Sequence, residues 1–368
     1  MKQQLPGGVT RQNLKLSDGR DIYYYDTKDI DRNAIDSRVD QAQPGIGHLR
    51  LDLLVNEWVV VASHRQHRMF LPPKELCPLC ASTKEKPTEI PDSDYEVAVF
   101  TNRAPALTAP NSTWKLPQIN GLETPNPDAA GACEVVCYTS DHGTSFAKLP
   151  IKQIRAVLEA WKNRDSELSK LPYIQHIFPF ENRGEEVGVT ISHPHGQIYA
   201  YSFIPPRMER MLSAAQDYLK KTGRVLLDDL IKREIKDEKR IIAQNSEWIA
   251  YVPFAARYPF EIHLAPLRSV ARMSQLDEKQ SEAFPEIAKE ILTRLDGVFG
   301  IEMAYIASWY QSPINVGDDC MRLHWQIVSV RRQPGKLKYL SGSESAMGAF
   351  IMDLEPEQSA DQLRQVKI

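Results

Sequence analysis

What the sequence lacks narrows it first. No run of about 20 apolar residues occurs in the 368-residue chain, so no membrane-spanning helix is expected. The first residues, Met1 to Arg11, are polar and have no apolar signal-peptide centre, so the expected location is the cytoplasm. Cysteines are few and odd in number: Cys77, Cys80, Cys133, Cys137 and Cys320. That argues against a disulfide framework. A net charge of only −3 gives no electrostatic reason to bind nucleic acid or an acidic membrane.

What is present suits a soluble enzyme-sized chain. Hydrophobic residues make up 42% and charged residues 25%, so a sizeable core can form. The length suits two similar lobes better than one. Residues 1–45 are polar and Asp-rich around Tyr23, Tyr24 and Tyr25, and are expected to be an extension that wraps the core or a partner subunit. Regular structure is expected to start near Leu51. Trp58–Ala62, Tyr95–Phe100 and Cys133–Tyr138 are strand candidates, and the Pro- and Asn-rich stretch 105–131 is a long loop. Ile151, Ile154, Val157, Leu158 and Trp161 fall at helical spacing. Strands are expected near Ile174–Phe178 and Gln197–Ser202, then one or two helices over 207–238, broken at Gly223.

The pattern then returns. Strands are expected at Ile249–Val252 and within Pro259–Pro266, a helix over Asp277–Val298 that holds Pro285, and strands at Met303–Trp309 and His324–Val330. His195-Gly-Gln-Ile198 in the first half resembles His324-Trp-Gln-Ile327 in the second. The shared element order points to two copies of one α+β unit.

The chemistry concentrates in Glu181–Ala200. His193 and His195 stand two apart, so an extended backbone projects both rings to one face. Pro194 stiffens the pair, Gly196 allows a ligand or another backbone to come close, and Gln197 offers an amide donor for an oxyanion. Neutral imidazole attacks phosphorus well, and protonated phosphoimidazole leaves well. The arrangement suits a phosphoryl-type double displacement, with a structural or metal-binding His pair as the alternative. Cys77-Pro-Leu-Cys80 has the spacing of a zinc knuckle. His142 is a candidate third ligand and His193 a candidate fourth, which would leave His195 as the nucleophile. The competing reading is a redox Cys-x-x-Cys, which usually opens a helix; here proline-rich sequence precedes it. Cys133 and Cys137 are taken as small buried apolar residues. The cluster Ser63–Arg68 and the turn Thr101-Asn102-Arg103 are weaker candidates for phosphate and ligand contacts.

These segments together carry a resemblance. Trp58–Arg68, the Cys-x-x-Cys, Val99-Phe-Thr-Asn102, Asp141-His142, Phe180-Glu-Asn182, His193-Pro-His-Gly-Gln197 and Pro259-Phe-Glu261 resemble the galactose-1-phosphate uridylyltransferase family, the transferase branch of the histidine triad superfamily. The resemblance implies an α+β fold in which duplicated histidine-triad-like units form a large, mostly antiparallel sheet flanked by helices. It implies halves at 46–205 and 206–368, after the 1–45 extension. It also implies a homodimer with shared active sites.

The implied reaction is ping-pong. UMP passes from UDP-glucose to His195 and on to galactose 1-phosphate, with Gln197 stabilising the transferring group. The resemblance places Asn182, Gly188 and Thr190 along the phosphate path, Arg65 and Arg68 on the nucleotide phosphates, and Asn102 near the ribose or base. Lys338 and Glu344 match hexose positions, and Zn(2+) is held by Cys77, Cys80, His142 and His193. A second metal found in many members is expected to be missing: Tyr310 and Gln326 replace two of its histidines, and Met211 stands near its glutamate position, beside Glu209. Arg103 and Gly342-Ser-Glu-Ser345 also depart from the family pattern, which bears on the base and the sugar.

An ADP-sugar phosphorylase using the same His195 intermediate is the nearest alternative. A non-catalytic, zinc-stabilised nucleotide-binding protein is a third reading. Hydrolysis is disfavoured, because Gln197 stands where the hydrolase branch carries a histidine and an amide cannot shuttle a proton.

Overall fold

The chain enters regular structure at Lys2, well ahead of the expected start near Leu51. In the computed structural model, which describes residues 2–39, 45, 47–67, 70–110 and 127–368, three strands precede the first expected element. These are β1 (Lys2–Leu5), β2 (Val9–Lys15) and β3 (Asp21–Asp26). Pro6-Gly7-Gly8 and Asp18-Gly19 supply the turns between them. Alternation in β3 sends Tyr23 and Tyr25 to one face and Tyr24 to the other, and all three are buried. The extension is therefore part of the sheet. Its continuation also wraps, since buried Arg32 pairs with Asp26 and donates to the Asp94 carbonyl.

The following elements keep the expected order, with β10 as an added strand and β4 starting at His48. They are β4 (His48–Asp52), β5 (Glu57–Val61), β6 (Val97–Thr101), β7 (Gly131–Cys137), α1 (Ile151–Leu168), β8 (His176–Arg183) and β9 (His195–Tyr201). Next come α2 (Pro206–Thr222), α3 (Leu226–Asp237), β10 (Ile241–Gln244), β11 (Trp248–Tyr251), β12 (Phe260–Pro266), α4 (Glu278–Gly297), β13 (Tyr305–Tyr310) and β14 (His324–Ser329). Gly223 ends α2 with a left-handed cap, at φ 67°. Asp277 caps α4 by accepting the Gln280 N–H at 2.9 Å, and Pro285 lies inside that helix. Most of the expected loop 105–131 falls outside the described residues.

Among the described residues, twelve strands form one sheet in the order β1-β2-β3-β6-β7-β9-β8-β13-β14-β12-β11-β10, while β4 and β5 pair separately. Each neighbouring pair is antiparallel. Outward from the seam between β8 and β13, the order repeats: β8, β9, β7, β6 on one side and β13, β14, β12, β11 on the other. α1 joins β7 to β8, and α4 joins β12 to β13. The short His-x-Gln likeness is thus the trace of a whole repeated unit, with His195 opening β9 and His324 opening β14.

Both long helices cover the same face of the sheet. Their core runs without interruption across the seam, from Val97, Val136 and Ile198 to Ile327, Ile262 and Ala250. Trp309 stacks on Trp325 with centroids 5.6 Å apart, and Trp161 meets Trp309 edge-on at 6.0 Å. Arg164 of α1 fixes the helix to the sheet: it pairs with buried Glu134 on β7 and lies over the Tyr23 ring, 4.2 Å from its centroid. The opposite face carries smaller apolar clusters, one around Tyr24, Phe100 and Val135 and another that packs Tyr199 and Tyr201 against Cys133.

Candidate active site and metal centre

β9 sets the site by alternation. Gly196, Ile198 and Ala200 face the core under the helices and are buried, whereas His195, Gln197, Tyr199 and Tyr201 project from the other face and are half-buried. Gly196 is required by close approach. A Cβ there would stand 2.0 Å from the Tyr138 hydroxyl oxygen and 2.8 Å from the Phe180 carbonyl oxygen. The backbone that the glycine admits is therefore the protein's own.

His195 Nδ1 lies 2.7 Å from the His193 carbonyl oxygen. A carbonyl only accepts, so Nδ1 carries the proton and Nε2 keeps its lone pair. Among the described residues Nε2 has no partner. Burial lowers the His195 pKa from its ordinary 6.5, and the Nδ1–H bond opposes that shift. The ring borders a cavity of about 590 Å³, lined also by Asn182, Arg183, Glu181 and Ser192. Burial raises Glu181 to about 7, with Arg183 pulling the other way. Gln197 sits two residues along the same face, opposite Phe180 on β8 and Val135 on β7.

The expected ligand set converges. Cys77, Cys80, His142 and His193 offer ligand atoms that all lie within 4.8 Å of one another. Cys80 Sγ is 3.4 Å from His142 Nδ1 and 3.6 Å from His193 Nδ1. A tetrahedral ion with bonds of about 2.0–2.3 Å sets its donors roughly 3.4–3.8 Å apart, so the residues fit a metal. Burial raises the Cys80 thiol to about 11, and the neighbouring Cys77 adds to this. A divalent cation would supply the positive charge that these thiols need to ionise. His142 Nε2 lies 3.2 Å from Ser192 Oγ, so its far nitrogen also has a partner. His193 and His195 border one cavity, but the His193 ring turns to the thiols.

The remaining candidates scatter. Asn182, next to the last residue of β8, lines the His195 cavity, while Gly188 and Thr190 are not among that cavity's lining. The Thr190 carbonyl accepts the Leu71 N–H at 2.7 Å. Arg65 reaches the His195-bearing face, donating to Tyr199 Oη at 3.2 Å. Arg68 lies outside the described residues. Asn102 and Arg103 line a different cavity of about 760 Å³ near the end of α1. Lys338 and Glu344 pair with each other at 3.0 Å, both buried, away from the lining of the His195 cavity. At the second-half equivalent of the site, His324 Nε2 lies 3.0 Å from the Gln326 amide nitrogen, Arg207 donates to Gln326 Oε1 at 2.9 Å, and Tyr310 stacks on the His324 ring. Residue spacing missed Tyr95 and the Thr139 carbonyl, which lie 2.9 and 2.8 Å from His193 Nε2. Nothing in their local sequence marks them.

Comparison with known proteins agrees with this geometry. Residues 37–205 match the N-terminal domain of galactose-1-phosphate uridyl transferase, and residues 211–367 match its C-terminal domain. A galactose-1-phosphate uridylyltransferase of Streptomyces lividans is 36% identical over 97% of this chain and 98% of its own length. A solved uridylyltransferase superposes with a TM-score of 0.76 at 30% identity, covering 87% of this chain and 98% of that one. An Arabidopsis thaliana ADP-glucose phosphorylase with bound ADP-glucose superposes at 0.67 and 25% identity, covering 87% and 98%. Matched along nearly its whole length, the chain belongs to the galactose-1-phosphate uridyl transferase family.

Proposed function

We propose that this protein exchanges UMP between UDP-glucose and galactose 1-phosphate through a covalent uridylyl-His195. The observation that carries the reading is the tautomer of His195, whose proton is held on Nδ1 by the His193 carbonyl while Nε2 is left open at a cavity. Nε2 attacks the α-phosphorus of UDP-glucose, and the bond to the glucose 1-phosphate oxygen breaks. A phosphate oxygen of galactose 1-phosphate then attacks the same phosphorus. The P–N bond breaks, and UDP-galactose leaves. Gln197, on the same face, donates its amide N–H to the non-bridging oxygens of the transferring group. Asn182, Gly188 and Thr190 are assigned to the phosphate path, Arg65 and Arg68 to the nucleotide phosphates, and Asn102 to the nucleoside.

The four-ligand site is assigned to one zinc ion per chain, which would add rigidity beside the nucleophile; no second ion is assigned to His324. Replacing Cys77 by serine is expected to lower bound zinc from one per chain towards none and to lower the melting temperature. Metal analysis and calorimetry read both, and unchanged zinc content would refute the assignment. The protein is assigned to the cytoplasm as a homodimer. Lys338 and Glu344, held as a pair outside the His195 cavity, are assigned to the hexose of a shared site. The halves 46–205 and 206–368 are taken as the two repeats, with 1–45 completing the first sheet edge.

The acid limb of activity follows from the lowered His195 pKa. The nucleophile works as the neutral ring, so kcat/KM is expected to stay level through neutral pH. It should fall only below a pKa under 6.5. A limb centred above 6.5 would contradict the assignment.

The adenylyl reading keeps the same chemistry and is favoured by the similarity to the ADP-glucose phosphorylase. Intact-protein mass spectrometry after UDP-glucose alone, with ADP-glucose in parallel, separates the two. A uridylyl adduct supports uridylyl transfer, and an adenylyl adduct alone moves the protein to the second reading. No adduct with either donor overturns the covalent mechanism.

A further inference from the structure

We propose that Tyr95 is a positioning residue that fixes the proton of His193, and through His193 the nucleophile. The inference rests on the assignment of His193 as a metal ligand and of His195 as the attacking group.

Tyr95 is 2% exposed and stands just ahead of β6. Its ring is buried in a small apolar cluster with Leu79, Ile90, Cys77 and Tyr24, on the polar-site side of the sheet. A hydroxyl so placed needs partners. Its partners come from different segments: the Leu79 carbonyl oxygen at 2.7 Å, inside the Cys77-Pro-Leu-Cys80 knuckle, His193 Nε2 at 2.9 Å, and the Cys137 thiol of β7.

The direction of each bond is fixed by what the atoms can do. The Leu79 carbonyl only accepts, so it takes the one hydroxyl proton. The Tyr95 oxygen is then left to accept from His193. The Thr139 carbonyl, 2.8 Å from the same nitrogen, can also only accept. Both contacts demand a proton on His193 Nε2. The lone pair is thereby placed on Nδ1, the atom that faces Cys80 Sγ. Tyr95 thus reinforces the ligating tautomer that the Thr139 carbonyl also requires, orients the ring and ties it to the loop that carries the two thiols.

The same residue reaches the nucleophile at one remove. The His193 carbonyl holds the Nδ1 proton of His195. Any rotation of the 193–194 backbone that follows a loosened His193 ring weakens that bond and frees the other tautomer, whose Nε2 carries a proton and cannot attack. Tyr95 is itself anchored, because Arg32 donates to the carbonyl of Asp94, the preceding residue. The extension at the start of the chain therefore supports the active site through this tyrosine.

Tyr95→Phe keeps the ring and removes only the oxygen. Zinc competition against a chromogenic chelator should show the dissociation constant raised about 10- to 100-fold, the usual cost of losing a partner of a metal-bound histidine. With zinc in excess, kcat for UMP exchange should fall while KM for UDP-glucose stays near the parent value. Loss confined to global packing would lower the melting temperature and leave the zinc constant of the folded fraction unmoved. An unmoved zinc constant in Tyr95→Phe overturns the proposal. A long-range proton–nitrogen spectrum of the zinc-loaded parent protein gives a check that needs no variant. A protonated Nε2 on His193 is expected, and a protonated Nδ1 overturns the proposal. A parent protein that binds no zinc refutes the metal assignment itself and takes this inference with it.

Discussion

His195→Ala is expected to abolish UMP exchange, lowering kcat on the order of 10⁴-fold or more, as when the nucleophile of a double-displacement enzyme is removed. The protein should remain folded. The side chain is half-buried at the start of β9, and its one hydrogen bond among the described residues is to the His193 carbonyl. Removing the ring leaves that carbonyl at the wall of a cavity of about 590 Å³, where water can replace the lost donor. UDP-glucose binding should persist, because phosphate and nucleoside contacts are assigned to other residues. Two measurements check this: the mass adduct after donor alone should vanish, and donor affinity by calorimetry should change little. Turnover within tenfold of the parent would show that UMP passes between substrates without the histidine.

Gly196→Ala is expected to have the next largest effect, from a single methyl group. The new Cβ would stand 2.0 Å from the Tyr138 hydroxyl oxygen and 2.8 Å from the carbonyl oxygen of Phe180. The first neighbour is the tip of a fully buried side chain wedged edge-on against Phe146 and Trp161. The second is backbone in the adjoining strand, so neither can move cheaply. Overpacking of this kind costs about 1–3 kcal/mol. β9 would have to shift away from β8, carrying His195 and Gln197 with it. A displacement of about 1 Å in catalytic groups costs roughly 10²-fold in rate. Pairing the change with Tyr138→Phe should recover part of the activity, since it removes one close atom and leaves the other. Full activity in Gly196→Ala would mean that the strand yields where the geometry says it cannot.

Much of this arrangement was legible in the residues, and the reason is physical. Local spacing decides which elements form: the 3.6-residue period of Ile154, Val157, Leu158 and Trp161 leaves little choice for α1, and Gly223 ends α2 as a left-handed cap must. Ligand spacing decides the knuckle, because two thiols separated by two residues already outline one edge of a tetrahedron. What escaped were relations set by tertiary folding. Residues 1–45 read as a polar extension, and nothing local told that β3 would pair with β6, which lies some seventy residues on in register Tyr24 to Ala98. Tyr95 was visible only as the first residue of a strand candidate, Tyr95–Phe100. Its hydroxyl gains meaning from Leu79 and His193, which the chain brings to it from both sides. The pairing of Lys338 with Glu344 is hidden in the same way, in a segment with little regular periodicity.

The two copies that meet at the seam of β8 and β13 have aged differently. In both, a histidine opens the strand and gives its Nδ1 proton to a carbonyl two residues back, His195 to His193 at 2.7 Å and His324 to Arg322 at 3.0 Å. In the first copy the remaining nitrogen faces a cavity. In the second it is taken by the Gln326 amide, roofed by Tyr310 and closed off at 4% exposure. A duplication gives natural selection a spare. On the proposed assignment the reaction uses one imidazole, while the other serves as mortar, and the shared direction of one hydrogen bond marks the two positions as equivalents.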